Sequence, residues 1–546
     1  MKIKQCPVLL GAILLAGASF STQVVAQDQR SDHHRYKLID VGTFGGPESY
    51  VNAAFSLGSP NQINRRGTVV GAAATDIPAP PNKQICGGPD GLVPFVFHAF
   101  IWEDGEKKDL GALPGVECSE AVSINSHGEI AGRSGNGVTD PLAGVEEIRG
   151  VIWRDGEIQD LGTLGGNHSI AIAINNRSQV VGSSVNTIPD PFSLLYFLGG
   201  GFTNGTETRG YLWHQGQMRD LGTLGGPDSQ AFGLDNRGQV VGISYINSTP
   251  NSVTGLPPAN PFFWSEDRGM IDLGTLGGVW GGASALNNRG QVIGTSSLAA
   301  DPGACLGIGN TANCHPFFWG GGRLVDLNAD TSGGSSVTAQ AINDAGEVVG
   351  NAAFPNGATG GDAYLWKDGV ITDLGTLPGD CYSEAFAINS RGQAVGQSFN
   401  CDTGIARSIL WEEGKMFDLN TLIPPNSDLL LDNTFAINDR GEITGFGVPP
   451  GCTMDTLCGH AFVLIPCEKE HSNGDGCAAG NATTAAIQSN PETTKKSTTA
   501  VMGVSLTPRE IAGRIHARFA LPHGHWRGRL ELLESTDGNR VWEWSR

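Results

Sequence analysis

The chain has 546 residues, a net charge of −20, 79 glycines and only 16% charged residues. So acidic a surface repels phosphate and excludes a nucleic-acid partner. Few charges with abundant glycine suit short strands and tight turns better than long helices, so an all-β fold is expected.

The chain opens with Lys2 and Lys4, followed by the apolar run PVLLGAILLAGASF and by Val24 and Ala26, which have the small-residue spacing of a signal-peptidase site. Residues 1–26 are therefore expected to be a signal peptide. Its removal takes two lysines and no acid, which moves the charge from −20 to −22. No later segment is long and apolar enough to cross a bilayer as a helix, so a soluble periplasmic or extracellular protein without a membrane span is expected. With Cys6 discarded, ten cysteines remain, and an oxidising compartment favours pairing them.

From about residue 36 to 467 a unit of roughly 50 residues recurs, within the period range of propellers and solenoids. DLGTLGG stands at 160–166, 220–226 and 272–278, and the unit RGVIWRDGEIQDLGTLGGNHSIAIAINNRSQVVGSS covers 149–184. Its four apolar segments are strand-sized. RDG and its counterparts join two of them as a β-hairpin, and NNRS or NxxG joins the other two through a type I turn led by Asn. Each unit thus reads as a four-stranded antiparallel sheet.

HAFIW at 98–102, HAFVL at 460–464, DLGTLGG and AINxxGxVVG resemble the extracellular HAF-repeat family over residues 36–467. The resemblance implies export and repetition and supplies no mechanism.

The Asn turn occurs eight times, at Asn64, Asn125, Asn175, Asp235, Asn287, Asn343, Asn389 and Asn438, and the Asp of DLG also occurs eight times, from Asp40 to Asp418. The chain starts with a DVG strand that lacks a Trp-type partner and ends with HAFVL, which lacks a DLG partner. Pairing the two would close an eight-bladed β-propeller of four-stranded blades and leave no open edge. No copy of DLGTLGG continues as a phosphate loop, so its glycines are read as turn residues and its Asp as a structural bond.

The DG and NxxG turns lie on one face of such a ring, the turn face. The GTLGG links and the long joins lie on the other, the loop face, where recognition is expected. Cys381 and Cys401 flank one hairpin in register, which makes them the firmest disulfide. Cys305 with Cys314, Cys452 with Cys458, Cys467 with Cys477 and Cys86 with Cys118 are paired by proximity. No CxxC occurs, so neither metal nor cofactor is expected.

Three features are candidates for ligand binding. Four positions before each Trp stand His98, Arg149, Arg209, Asn260, His315, Asp362 and Arg407, with His460 before Leu464. If the Trp strand is innermost, these groups crown the channel mouth and favour an anion. If it lies further out, they are polar strand entrances. Trp280 replaces polar residues of sister units and is either an exposed platform for sugar stacking or buried under a loop. The insertion DPFSLLYFLGGGF at 190–202, with Tyr196 and Phe197, forms either a satellite core or a partner surface.

Residues 468–500 read as a flexible polar linker, and 501–546 as a small tail with a helix from Leu506 to Phe519 and a hairpin around TDGN. No GxSxG, HExxH or DxDxDG occurs, so no catalytic residue is assigned. The leading expectation is a monomeric, non-enzymatic binding module for a carbohydrate or another surface molecule. The alternatives are a polysaccharide hydrolase or lyase with acids in the channel, which needs no local motif, and a purely structural surface protein.

Overall fold

The computed structural model describes residues 35–51, 61–79, 95–115, 118–141, 146–194, 205–306, 313–327, 338–352, 354, 361–452, 458–467 and 477, and the backbone alone of 487–488, 529–534 and 540–545. The expected signal peptide, Cys86, Tyr196, Phe197 and the expected tail helix lie outside the described residues.

The described chain is all-β, with two single-turn 3-10 segments, Ala304–Leu306 and Leu419–Thr421. In the unit 169–220, Ser169–Ile174, Val180–Pro189, Thr206–His214 and Gln217–Asp220 lie side by side in chain order, each antiparallel to the next. Sheets with the same order span 45–109, 119–160, 338–375 and 382–418. The units 229–272 and 277–326 share one larger sheet through a parallel bridge from Ala259 to Trp280. In the remaining sheet Leu430–Ile437, Ile443–Val448 and His460–Pro466 take Tyr36–Asp40 as the fourth strand. Leu38 stands opposite Leu464, and Asp40 opposite Phe462. The two incomplete ends of the repeat therefore complete one sheet. Further along, the backbone of Ile487–Gln488 pairs with Lys415–Met416, and Arg529–Glu534 pairs antiparallel with Arg540–Ser545.

Turn chemistry explains the hairpins. Asp155 and Gly156 hold φ of 51° and 80°, the paired left-handed conformation of a two-residue hairpin turn, and Asp104–Gly105, Gln215–Gly216, Asp368–Gly369 and Glu413–Gly414 repeat it. At the other turn, Asn175 Oδ1 accepts the N–H groups of Arg177 and Gln179 at 2.9 and 3.0 Å.

DLGTLGG is a link between sheets. Asp160 Oδ1 accepts the N–H of Gly162 at 2.7 Å, and Gly162 has φ of 81°. The same bond recurs at Asp40, Asp109, Asp220, Asp272 and Asp373. The last glycine of the phrase must be glycine for lack of room, since a Cβ on Gly166 would stand 2.6 Å from Asn186 O.

The core lies between neighbouring sheets. Ala131 and Ile152 of one unit pack with Ala171, Val180, Tyr211 and Trp213 of the next. Val69, Phe100 and Trp102 of the first unit pack with Ala436, Ala461 and Val463 of the last.

On the turn face, Asn side chains tie each unit to its successor. Asn64 Nδ2 donates to Asn125 O, Asn125 to Asn175 O, and Asn175 to Asp235 O, at 2.9–3.2 Å. Asn287, Asn343 and Asn389 continue the series, and Asn438 donates to Asn64 O at 2.9 Å across 374 residues. The one interruption is at Asp235, whose carboxylate has no hydrogen to donate toward Asn287. Its Oδ1 still accepts from Arg237 and Gln239 N–H, as Asn does elsewhere. Asp235→Asn is therefore expected to restore the missing bond and stabilise the protein by about 1 kcal/mol, read as a higher midpoint in chemical denaturation. An unchanged or lower midpoint would mean that the Arg237–Asp235 contact at 3.1 Å offsets the gain.

Candidate functional site

The first strands of neighbouring units touch one another, as 119–124 does 169–174 and 169–174 does 229–234. The fourth strands, such as Glu106–Asp109 and Glu157–Asp160, are mostly exposed. The first strand is thus the inner edge of each sheet, and the Trp strand is third.

Seven of the eight described inner strands carry a β-bulge at one repeat position, three residues before the turn residue. In the unit 169–220 the register slips between Ala171 and Ala173, which leaves Ile172 without a partner. The same slip isolates Val122, Phe232 and Ser284, and then Gln340, Phe386 and Phe435. A bulge re-aims its side chain. The flanking small residues pack on opposite faces of the sheet, Ala283 against the preceding unit and Ala285 against the following one. The bulged residue between them falls out of this alternation: Ile172 and Phe232 pack with Tyr245 and Trp280, and Phe435 packs on the core between the last unit and the first. Ser284, Gln340, Phe386 and Phe435, on four consecutive units, are part-exposed, whereas Ile172 and Phe232 are buried. The rings of Phe386 and Phe435 meet at 5.9 Å between centroids. Behind them Glu384 accepts hydrogen bonds from Gln340 Nε2, Thr338 Oγ1 and Tyr382 OH at 2.5–3.1 Å.

The Trp strand lies further out, so the residues that would crown the channel mouth were it innermost sit on the third strand as polar strand entrances. They are bound within the scaffold, largely by the DLG aspartates of the fourth. His98 Nδ1 lies 2.7 Å from Asp109, His315 2.9 Å from Asp326, and His460 2.9 Å from Asp40. Asn260 donates to Asp272 at 2.9 Å. Arg209 bonds Glu207 at 2.8 Å, Arg149 bonds Glu147 at 3.0 Å, and Arg407 bonds the wholly buried Asp380 carboxylate at 2.8 Å.

Trp280 is not a stacking platform. It is 5% exposed and meets Tyr245 edge-on at 6.0 Å, in a cluster with Ile172, Phe232 and Leu194. The insertion begins as part of this same core: Phe192 and Leu194 pack on it, and Tyr245 OH donates to Phe192 O at 2.9 Å.

Disulfides join Cys305 to Cys314, Cys381 to Cys401, Cys452 to Cys458 and Cys467 to Cys477, with Cα separations of 4.7–6.1 Å. Cys118 is also disulfide-bonded. The first three staple loop-face joins.

Two buried polar pairs occupy equivalent places at the loop-face ends of inner strands. His168, wholly buried, lies 2.9 Å from Asp140 through Nε2, and its Nδ1 accepts the Ile148 N–H at 3.2 Å. Burial keeps this imidazole below its usual pKa against the pull of Asp140. In the next unit the wholly buried Asp228 accepts the N–H groups of Leu194 and Thr208 and is hydrogen-bonded to Asp190. Burial pushes the Asp228 carboxyl up to about 8 and raises Asp190 as well. Glu48 is likewise pushed up to about 8 by burial. None of these acids is exposed to a substrate. Among the described residues no group of three His, Cys, Asp or Glu could hold a metal ion.

The chain matches no protein-family model and no curated protein. Among solved structures it is similar to an acylaminoacyl peptidase from Pyrococcus horikoshii, with 14% identity, a TM-score of 0.38, and coverage of 73% of this chain and 58% of that one. It is also similar to the β-propeller domain of the trilobed protease from Pyrococcus furiosus, with 11% identity, a TM-score of 0.38, and coverage of 70% and 98%. TolB from Acinetobacter baumannii gives 11% identity, a TM-score of 0.27, and coverage of 80% and 97%.

Proposed function

We propose that this is an exported, non-enzymatic binding protein of the HAF-repeat type, whose eight blades close into one propeller through the pairing of Tyr36–Asp40 with His460–Pro466. Its loop face takes a carbohydrate or another extracellular surface molecule. The observation that carries the reading is the division of labour between repeated and unit-specific residues. The repeated Asp, His and Arg groups are bound up in the scaffold, while the loop-face joins differ from unit to unit and three are held by disulfides. Variable loops anchored on a repeated frame, and cross-linked where disulfides join their ends, reduce the ordering cost of recognition. The disulfides, and the absence among the described residues of a helix able to cross a membrane, are compatible with export.

A glycan array and a turnover assay on the same polysaccharides test this function. Binding without product release is the expected result. Product release would establish the hydrolase or lyase instead, and silence in both assays would leave a structural role.

A further inference from the structure

We propose that the inner-edge bulges form the sugar contact, with Phe386 and Phe435 stacking on a neutral pyranose at the ring axis. The inference rests on the closed-ring, carbohydrate-binding reading above and gives it a location and a ligand class.

Three observations support it. The first is geometric. The bulge takes one residue per unit out of the regular alternation of the inner strand, and Phe386 and Phe435 keep part of their rings exposed there while Phe435 also packs on the core behind it. Phe386 and Phe435 belong to adjacent units, are part-exposed, and meet at 5.9 Å with an interplanar angle of 55°. Two tilted rings at this spacing present a shallow apolar wall. Equatorial sugar C–H groups pack well on such a wall, whereas a charged group gains little there.

The second observation is chemical. The part-exposed arc continues from the two rings to the amide of Gln340 and the hydroxyl of Ser284, so an apolar wall stands beside uncharged hydrogen-bonding groups. Gln340 Nε2 is anchored on Glu384 at 2.7 Å, and Tyr382 and Thr338 bind the same carboxylate. This support fixes the amide and masks the charge behind it.

The third is electrostatic. None of the seven residues at this repeat position has an ionisable side chain, although the protein as a whole has a net charge of −20. A neutral occupant suits a neutral collar inside a negative protein. A polyanion would meet repulsion with no cation among these seven described residues to offset it.

The test is calorimetric titration of the full-length protein with neutral hexasaccharides of glucose, mannose, xylose and N-acetylglucosamine, with polygalacturonate and heparin as anionic arms. Wild type is expected to bind at least one neutral hexasaccharide and neither polyanion. Phe386→Ala and Phe435→Ala should each weaken that binding about tenfold, as loss of a stacking ring does, with thermal unfolding followed in parallel. Should either variant fail to fold, Phe435→Trp keeps a ring in place, retains affinity and reports the bound sugar as a change in indole fluorescence. Neutral-sugar binding that survives both alanine variants, or that leaves the Phe435→Trp fluorescence unmoved, overturns the axial site while leaving a loop-face lectin standing. Preference for polygalacturonate or heparin overturns the ligand class. No binding to any sugar overturns this inference and the carbohydrate reading together.

Discussion

Deleting residues 35–40 is expected to destabilise the protein by at least about 5 kcal/mol, and to turn one sharp unfolding transition into a broad one that begins at lower denaturant. The deletion removes the whole fourth strand of the last sheet. Tyr36 is 1% exposed and packs with Leu464, Ile443 and Leu431, and Leu38 joins the same cluster. Full burial of a side chain of this size contributes about 1.5–3 kcal/mol, which applies to Tyr36 and in part to the half-buried Leu38. The ladder bonds to His460–Pro466 and the Asp40–His460 contact at 2.9 Å disappear as well. The strand His460–Pro466 would be left with an open edge, so the truncated protein should also associate with itself. Equilibrium denaturation with sedimentation analysis checks both effects. An unchanged midpoint in a monomeric truncated protein would show that closure contributes nothing.

The second large effect concerns Asp190 and Asp228. Both Asp228 oxygens accept main-chain N–H groups, from Leu194 and from Thr208. The proton shared by the pair is therefore best held on Asp190, whose Oδ1 takes only the Phe192 N–H at 3.1 Å. Asp190→Asn supplies a permanent N–H donor in that place. Asp228→Asn instead forces an NH2 group against a main-chain N–H, at a cost of about 3 kcal/mol.

The pH dependence has a definite sign. Burial pushes the folded Asp228 carboxyl up to about 8 and raises its partner Asp190, whereas an unfolded carboxyl titrates near its ordinary value of 3.8. The stability contribution is complete below the lower value and is lost as pH rises toward the upper, because the folded state must hold a proton that the unfolded state has released. Wild type should lose up to about 1.4 kcal/mol per pH unit across that window, relative to Asp190→Asn, and the gap should level off above pH 8. Other carboxyls that face the pair stay the same in both proteins, so the difference between their stability curves from pH 5 to 9 isolates it. Parallel curves would place the proton elsewhere.

The architecture of the sheets was legible because turn chemistry repeats with the period of the unit. Asp-Gly and Asn-x-x-Gly sit where left-handed or side-chain-bonded backbone is needed, and the structure uses both in that way. Two orphan strand motifs at opposite ends of the repeat likewise foretold the sheet that Tyr36–Asp40 shares with His460–Pro466.

Which strand lies inside was not legible. GVIW and IAIAIN are both apolar and strand-sized, and alternation distinguishes the two faces of a strand without saying how far it lies from an axis. Whether His98, Arg149 and Arg407 crown a channel mouth or are polar strand entrances turned on that ambiguity; the structure puts them on the third strand, bound to neighbouring carboxylates. Trp280 stayed open for a related reason, since a residue that breaks the repeat can fill a local core as well as face a ligand, and it fills the core. The bulges were hidden because one extra residue in six barely disturbs a short alternating pattern. A signal was nevertheless present. Mid-strand, between small residues in most units, the position reads Val122, Ile172, Phe232, Ser284, Gln340, Phe386 and Phe435, changing character from unit to unit where a purely structural site would repeat.

The bond from Asn438 to Asn64 O spans 374 residues, and this has a temporal consequence. During synthesis or translocation the leading strand emerges first but has no partner until the final repeat arrives. Interior units can pair locally as they appear, since each Asn reaches only to its immediate successor. The long-range closure comes last and sets the pace, as non-local pairings do in slow-folding β-proteins. Until then the nascent molecule presents an unpaired strand at each end of the repeat, a window in which a folding helper would find its substrate.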